Sequence, residues 1–530
     1  MNQQKQRRHI KMTRLTAYTS YADAQRHFSA QNLWDLVDGE PPLLNIAHEC
    51  IDRYATEDRS AVIIAHAEGH DEVLSFRELS ETSSQVAHYL HAEGVRAGDR
   101  IGIMLEPSLA FYASLFGVLK LGAIAVPLFT LFGPDGLRLR VQDCKPRILI
   151  TNEEKAATAA AIEGMKTIVA NHDWLQGLAA YPTHYESATH SDDLAIFQYT
   201  SGTTRELPDA VRHTHRALVM VLRAALYGTG VRPGERFFCP SSPAWGHGLW
   251  HGTLAPLALG ATIGAYAGKF SAERLLKALQ DHRFVNMSAA ATHYRMMRNS
   301  GAASRYTYAI EKLSFTGEPI DSETMEFVRQ TFGCVVCSMY GTTEIGVILV
   351  SYPGAHDFPV KPGSLGKAVP GVRVEVHDAE GRPCGADVTG ELTVWRGGKW
   401  LPTKDLGRID EDGYFYHRGR ADDVIISAGW TISAVEIEDA VLKHPDVRET
   451  AAIGVPDPLR GQVVKAFVVA ERPGDENFTK EIQDSVRVRL SQHEYPRVVE
   501  YVAELPKNPA GKVNRKALRD RERVTTAVSS

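Results

Sequence analysis

Short apolar runs of β-forming residues alternate with longer helical stretches up to about residue 390, and this alternation constrains the fold more than any other feature. Arg100-Ile101-Gly102-Ile103-Met104-Leu105 and Arg147-Ile148-Leu149-Ile150 read as buried strands, and Leu109 to Leu121 between them as a helix. Strand, helix and strand at this spacing predict an α/β protein with parallel sheet layers. The pattern changes near residue 390: Gly390-Glu391-Leu392-Thr393-Val394-Trp395 reads as a strand, Asp410 to Tyr416 as a hairpin, and the remainder as a small αβ block. Between them Arg418-Gly419-Arg420-Ala421-Asp422-Asp423 is short, charged and glycine-bearing, as a hinge would be. At 530 residues the chain exceeds one simple core. The expected organisation is a disordered basic tail over residues 1–25, a large multi-sheet N-terminal unit over 26–419, and a small mobile α+β unit over 420–530.

A formal charge of −5 gives no electrostatic case for nucleic acid or an anionic membrane surface. The most apolar segment, Leu115 to Phe132, is interrupted by Lys120, Gly122 and Pro127, so it reads as buried core and not as a membrane span. The N-terminal Lys5, Arg7, Arg8 and Lys11 precede any acidic residue but lack the apolar region of a secretory signal. A disordered tail, with Met12 as an alternative start, is the expectation; a transit peptide is the lesser alternative. Six scattered cysteines suggest reduced thiols and a cytoplasmic setting. Cys334 and Cys337 have redox spacing, yet they sit in a β-branched run where such positions face opposite ways.

Tyr199-Thr200-Ser201-Gly202-Thr203-Thr204 packs hydroxyls and a glycine into a loop suited to holding phosphate. Alone it could equally be an ordinary turn. With Thr316-Gly317-Glu318-Pro319, Tyr340-Gly341-Thr342-Thr343-Glu344, Lys404-Asp405-Leu406-Gly407-Arg408 plus Gly419 to Asp423, and Pro506 to Arg515, it forms an ordered set. Taken together, these segments, between about Leu74 and Leu518, resemble the acyl-adenylate-forming superfamily, nearest its acetyl- and medium-chain acyl-CoA synthetase branch.

The resemblance implies a site for ATP, CoA and a carboxylic acid. Thr200, Ser201, Gly202, Thr203 and Thr204 would cradle phosphates, Thr343 would bond the α-phosphate, and Glu344 would hold Mg2+. Gly317, Glu318 and Pro319 would lie beside adenine, with Tyr340 on its other side, and Gly341 and Thr342 would also bind ATP. Asp405 would accept the ribose hydroxyls, with Arg420 adding a donor. Lys512 would enter between carboxylate and α-phosphate; Asp422 matches the hinge, and Gly429 the segment admitting the CoA thiol. Trp245, Gly246, His247 and Gly341 are expected at the acyl pocket, with Trp250 and the run Ser288 to Ala291 as further walls. Acetate-specific relatives place tryptophan at the position of Gly341, so glycine predicts room for a larger acid. His247 and His251 also have the spacing of a metal pair but lack a third ligand.

The phosphate loop departs from the family's Gly-x-Pro-Lys-Gly, because Arg205-Glu206-Leu207-Pro208-Asp209-Ala210 is one residue longer and has Asp209 where lysine is expected. Arg205 and Arg212 are the candidate replacement cations. The expected activity is adenylation of a medium-chain, branched, alicyclic or aromatic acid, followed by transfer to CoA. The alternatives are loading of a separate carrier protein and a nucleotide- and acid-binding protein that has lost catalysis. A homodimer is compatible with either.

Overall fold

The computed structural model describes residues 15–199, 210–342, 345–420, 425–427, 430–432, 434–457, 461–490, 495–507 and 512–528. Three sheets organise them. In a six-stranded sheet, Thr167–Val169, Ile148–Thr151, Arg100–Met104, Ile124–Pro127 and Leu194–Gln198 run parallel in that order, and Val211–Thr214 closes one edge antiparallel.

The helix Leu109–Lys120 joins two of these strands and starts at Ser108, whose hydroxyl accepts the Phe111 N–H. Every residue from Ala110 onward is buried, so the helix is apolar all round and sealed between layers. Lys120, only 2% exposed, ends it. Its ammonium lies 2.7 Å from Asp52 and donates to Ser80 O at 2.8 Å and Ser84 Oγ at 2.9 Å. Burial lowers its pKa, and Asp52 opposes that. The segment Leu115 to Phe132 is thus helix, turn and core strand, and no helix among the described residues is long and apolar enough to cross a membrane.

A thirteen-stranded sheet carries the rest of the large unit. Beyond an edge strand at Asp71–Ser75, the strands Ser60–His66, Thr262–Ala267, Arg236–Phe238, Asn286–Ala290, Lys312–Thr316 and Val336–Thr342 are parallel. After Val336–Thr342 every pairing is antiparallel, from Gly346–Val350 through Ser364–Ala368, Phe415–Arg420, Lys399–Ile409 and Gly390–Arg396 to Val374–His377. The change of sequence pattern near residue 390 therefore reads antiparallel strands of the same sheet. The chain leaves that sheet at Arg420 and enters a five-stranded one at Ile425.

In the small sheet, Gly461–Ala470 alternates its side chains between two cores. Val464, Ala466 and Val468 pack with Ile437, Val441, Phe478 and Ile482, whereas Phe467 and Val469 pack with Leu505 and Leu518. Helices therefore cover both faces. The thiols of all six cysteines are free, and burial pushes Cys337 up to about 12, so it stays protonated, unlike a redox thiol.

Candidate active site

Parallel strands present ligand sites at their carboxyl ends. Asn286–Ala290 and Lys312–Thr316 end level at Ala290 and Thr316, and Val336–Thr342, in register at Phe315 with Ser338, runs on beyond them. A cavity of about 1840 Å³ opens there, lined by Trp245, Gly317, Tyr340, Asp405 and Lys512 among others.

Gly317 has φ +96°, a conformation that favours glycine, and a Cβ there would lie 3.1 Å from Lys512 Cε and 3.2 Å from the Trp245 ring. The Lys512 ammonium stands 5.3 Å from the Trp245 ring centroid, within cation–π range. Three separate sequence segments thus meet at one point. The described residues on either side of Lys512 are fastened in place. Lys507 bridges Val513, Asn514 N–H donates to Pro506 O at 2.7 Å, and Arg515 pairs with Glu438 at 2.6 Å.

Asp405 is 4% exposed. Tyr340 Oη donates to one of its oxygens at 2.5 Å, and His417 Nε2 stands 3.5 Å from the other. Its Cα is paired in register with Arg420 across the hairpin; the Arg420 side chain lies outside the described residues. Lys404 beside it has φ +65°, a strained value for a non-glycine residue. Glu318 is engaged by Arg295 at 2.6 Å and by Thr292, so its side chain braces the turn against the 291–300 helix.

Trp245 and Gly246 lead into a π-helix, His247–Leu254. His247 Nδ1 lies 3.0 Å from Ser241 Oγ and Nε2 lies 2.8 Å from Ser288 Oγ, so both ring nitrogens are engaged. Burial holds its pKa well below the ordinary value. Its ring centroid is 6.3 Å from that of His251, and no three metal-ligating side chains cluster among the described residues. Ser288 to Ala291 lie behind His247 and off the cavity surface, which corrects the expectation that this run forms a pocket wall. Trp250 does line the cavity and donates from Nε1 to Gln198 Oε1 at 3.0 Å. His213 and His251 line it too; burial brings each down to about 4, so both are neutral at physiological pH.

Gly341 lines the cavity, and its backbone surroundings also require glycine. A Cβ there would sit 2.1 Å from the carbonyl oxygen of Gly346, across the register shift between the 336–342 and 346–350 strands. The backbones approach too closely for any side chain.

Thr200, Ser201, Gly202, Thr203, Thr204, Arg205, Asp209, Thr343, Glu344, Asp422 and Gly429 lie outside the described residues. The flanks of the phosphate loop are described, and Asp143 ties them together: its carboxylate accepts Tyr199 Oη–H at 2.7 Å and Ala210 N–H at 3.3 Å. No local pattern marks Asp143 for this task, since it sits on the distant helix Pro134–Cys144. Arg212 is exposed and stacks on Phe197 at 5.1 Å, whereas its neighbours Val211 and His213 line the cavity. Strand alternation therefore turns Arg212 away from the cavity.

The AMP-binding enzyme family matches residues 51–399, and the AMP-binding enzyme C-terminal domain matches 436–512. The chain is 30% identical to an uncharacterized acyl-CoA ligase, YtcI, of Bacillus subtilis, over 91% of this chain and 97% of that one. The crystal structure of a Brucella canis acyl-CoA synthetase is similar at TM-score 0.74 and 31% identity, covering 96% of this chain and 99% of that chain. An anthranilate CoA ligase, AuaEII, in complex with anthranoyl-AMP is similar at TM-score 0.83 and 25% identity, covering 94% and 100%.

Proposed function

The chain belongs to the AMP-binding enzyme family and is an AMP-forming acid–thiol ligase, and from that premise we propose that its substrate is a medium-sized carboxylic acid, activated to an acyl adenylate and then transferred to CoA. The observation that carries the reading is the convergence of Lys512, Trp245 and Gly317 in the cavity. A carboxylate and an α-phosphate repel, so the first step needs a cation between them and both reactants in line. An ammonium about 4 Å from an anion gains up to about 4 kcal/mol at an effective dielectric near 20, before desolvation. In this reading the oxygen of the acid attacks the α-phosphorus, pyrophosphate leaves, and Lys512 offsets the charge.

Asp405, already aligned by Tyr340, is proposed to accept the ribose hydroxyls, which would displace or share that donor. The hydroxyls of Thr200, Ser201, Thr203 and Thr204 are proposed to hold the phosphates, and Thr343 the α-phosphate. Glu344 is proposed to hold Mg2+, whose charge would neutralise the phosphates; a carboxylate oxygen suits that ion. For the second step we propose rotation of the 420–530 unit at Asp422, withdrawing Lys512 and bringing Gly429 to the thiol path. Trp245 and Trp250 supply aromatic wall for a ring or branched acid, in keeping with the aromatic adenylate held by the anthranilate ligase.

Mass detection after incubation with ATP, CoA and an acid panel tests the acceptor. An acyl-CoA product supports the reading. Acyl adenylate accumulating beside unreacted CoA would point to a carrier-protein thiol instead.

A further inference from the structure

Most cations at the cavity wall are already paired with carboxylates: Arg295 with Glu318, Lys361 with Asp410, Arg408 with Asp387 and Arg418 with Glu436. Arg223 is different. It lies half-buried on the helix Ala217–Tyr227, lines the cavity, and pairs with no carboxylate among the described residues. Its guanidinium stacks 5.9 Å from the Phe28 ring, and its charged neighbour is a second guanidinium, that of Arg396. Arg396 also lines the cavity and spends one donor on Ile345 O at 2.6 Å. Burial, followed by the Arg396 charge, lowers Arg223 to about 10, so it keeps its proton at neutral pH.

Two guanidiniums on the wall of one cavity repel, and a half-buried one without an anion loses hydration for no return. Such an arrangement is stabilised when an anion arrives. The position indicates which anion. The 217–227 helix follows Val211–Thr214, which continues directly from the phosphate loop. At 1.5 Å per residue, Arg223 stands about 9 Å along the helix from Ala217. Between lie Met220 and Val221, which line the cavity as apolar wall.

We propose that Arg223, backed by Arg396, receives a second carboxylate of the substrate, so that the preferred acid is a dicarboxylic acid rather than a monocarboxylic acid of the same length. This rests on the acid occupying the cavity as described above. One carboxylate reacts beside Lys512, and the other is held at Arg223 through charge-assisted hydrogen bonds.

The test compares succinate, adipate and suberate with butyrate, hexanoate and octanoate, using the full chain. Equilibrium binding of each acid is measured by calorimetry, and turnover by acyl-CoA formation. At least one diacid binds about tenfold or more tightly than its monocarboxylic partner, and Arg223→Met removes that advantage while changing the monocarboxylic acids by less than about threefold. Arg223→Gln and Arg396→Gln serve as second variants should Arg223→Met fold poorly; each reduces the same preference. Equal or weaker binding of every diacid overturns the proposal, as does an Arg223 variant that weakens all acids or ATP alike. A diacid preference in binding without any acyl-CoA would uphold this assignment and defeat the ligase substrate reading, so the two failures are separable.

Discussion

The Lys512 ammonium stands 5.3 Å from the Trp245 ring centroid, and its Cε is the nearest atom to the missing Cβ of Gly317. This places the lysine where an aromatic face holds a cation without neutralising it. Lys512→Ala is expected to slow adenylation by at least about 10²-fold, read as acid-dependent pyrophosphate exchange. Thioester formation from supplied acyl adenylate should be spared. Equal loss in both half-reactions contradicts a role confined to the first.

Asp405 is buried and accepts a hydrogen bond from Tyr340 Oη at 2.5 Å. Tyr340→Phe removes a hydrogen bond to a charged group, a contribution of about 1.5–3 kcal/mol. The expectation is a rise of about tenfold or more in the KM for ATP, with Asp405→Asn at least as severe. A loss confined to kcat would speak against nucleotide positioning.

Gly341→Ala should behave as an overpacking change. Its Cβ would meet Gly346 O at 2.1 Å, so the strand must shift, at a typical cost of about 1–3 kcal/mol. The melting temperature should drop by a few degrees, and activity should fall alike for acids of every length. An unchanged melting temperature with selective loss of long acids would restore the pocket-size explanation.

His251 predicts an acid limb in stability. Burial lowers its pKa from 6.5 to about 4, and its Nδ1 has no hydrogen-bond partner among the described residues. Below about pH 6.5 the unfolded chain takes up a proton that the folded one refuses, so stability falls as pH drops from there toward about 4 and then levels. His251→Leu should lessen that loss by up to about 3 kcal/mol, measured by denaturant unfolding across this range. Superimposable acid limbs would refute the assignment.

Local patterns carried the strands and helices well. The sealed helix Leu109–Lys120 and the hairpin before Arg420 follow from apolar runs and turn residues, which act over a few positions. The meeting of Gly317 and Tyr340 was expected from the family resemblance alone, and in the structure Gly317 follows, and Tyr340 lies on, parallel neighbouring strands. Contacts between distant segments were not legible. Asp143 clasping the two flanks of the phosphate loop, His417 facing Asp405 and Arg295 gripping Glu318 depend on packing that no spacing encodes. The backbone crowding at Gly341 was likewise hidden, since the carbonyl that excludes a side chain there comes from across a bulge.

Acid-dependent exchange of labelled pyrophosphate into ATP tests the central claim most directly, because it needs the acid, the nucleotide and Lys512 in one site but no thiol. With aliphatic, alicyclic, aromatic and dicarboxylic acids offered singly, the account predicts exchange with at least one of them and its loss in Lys512→Ala. No exchange with any acid, or exchange that survives Lys512→Ala undiminished, would contradict it.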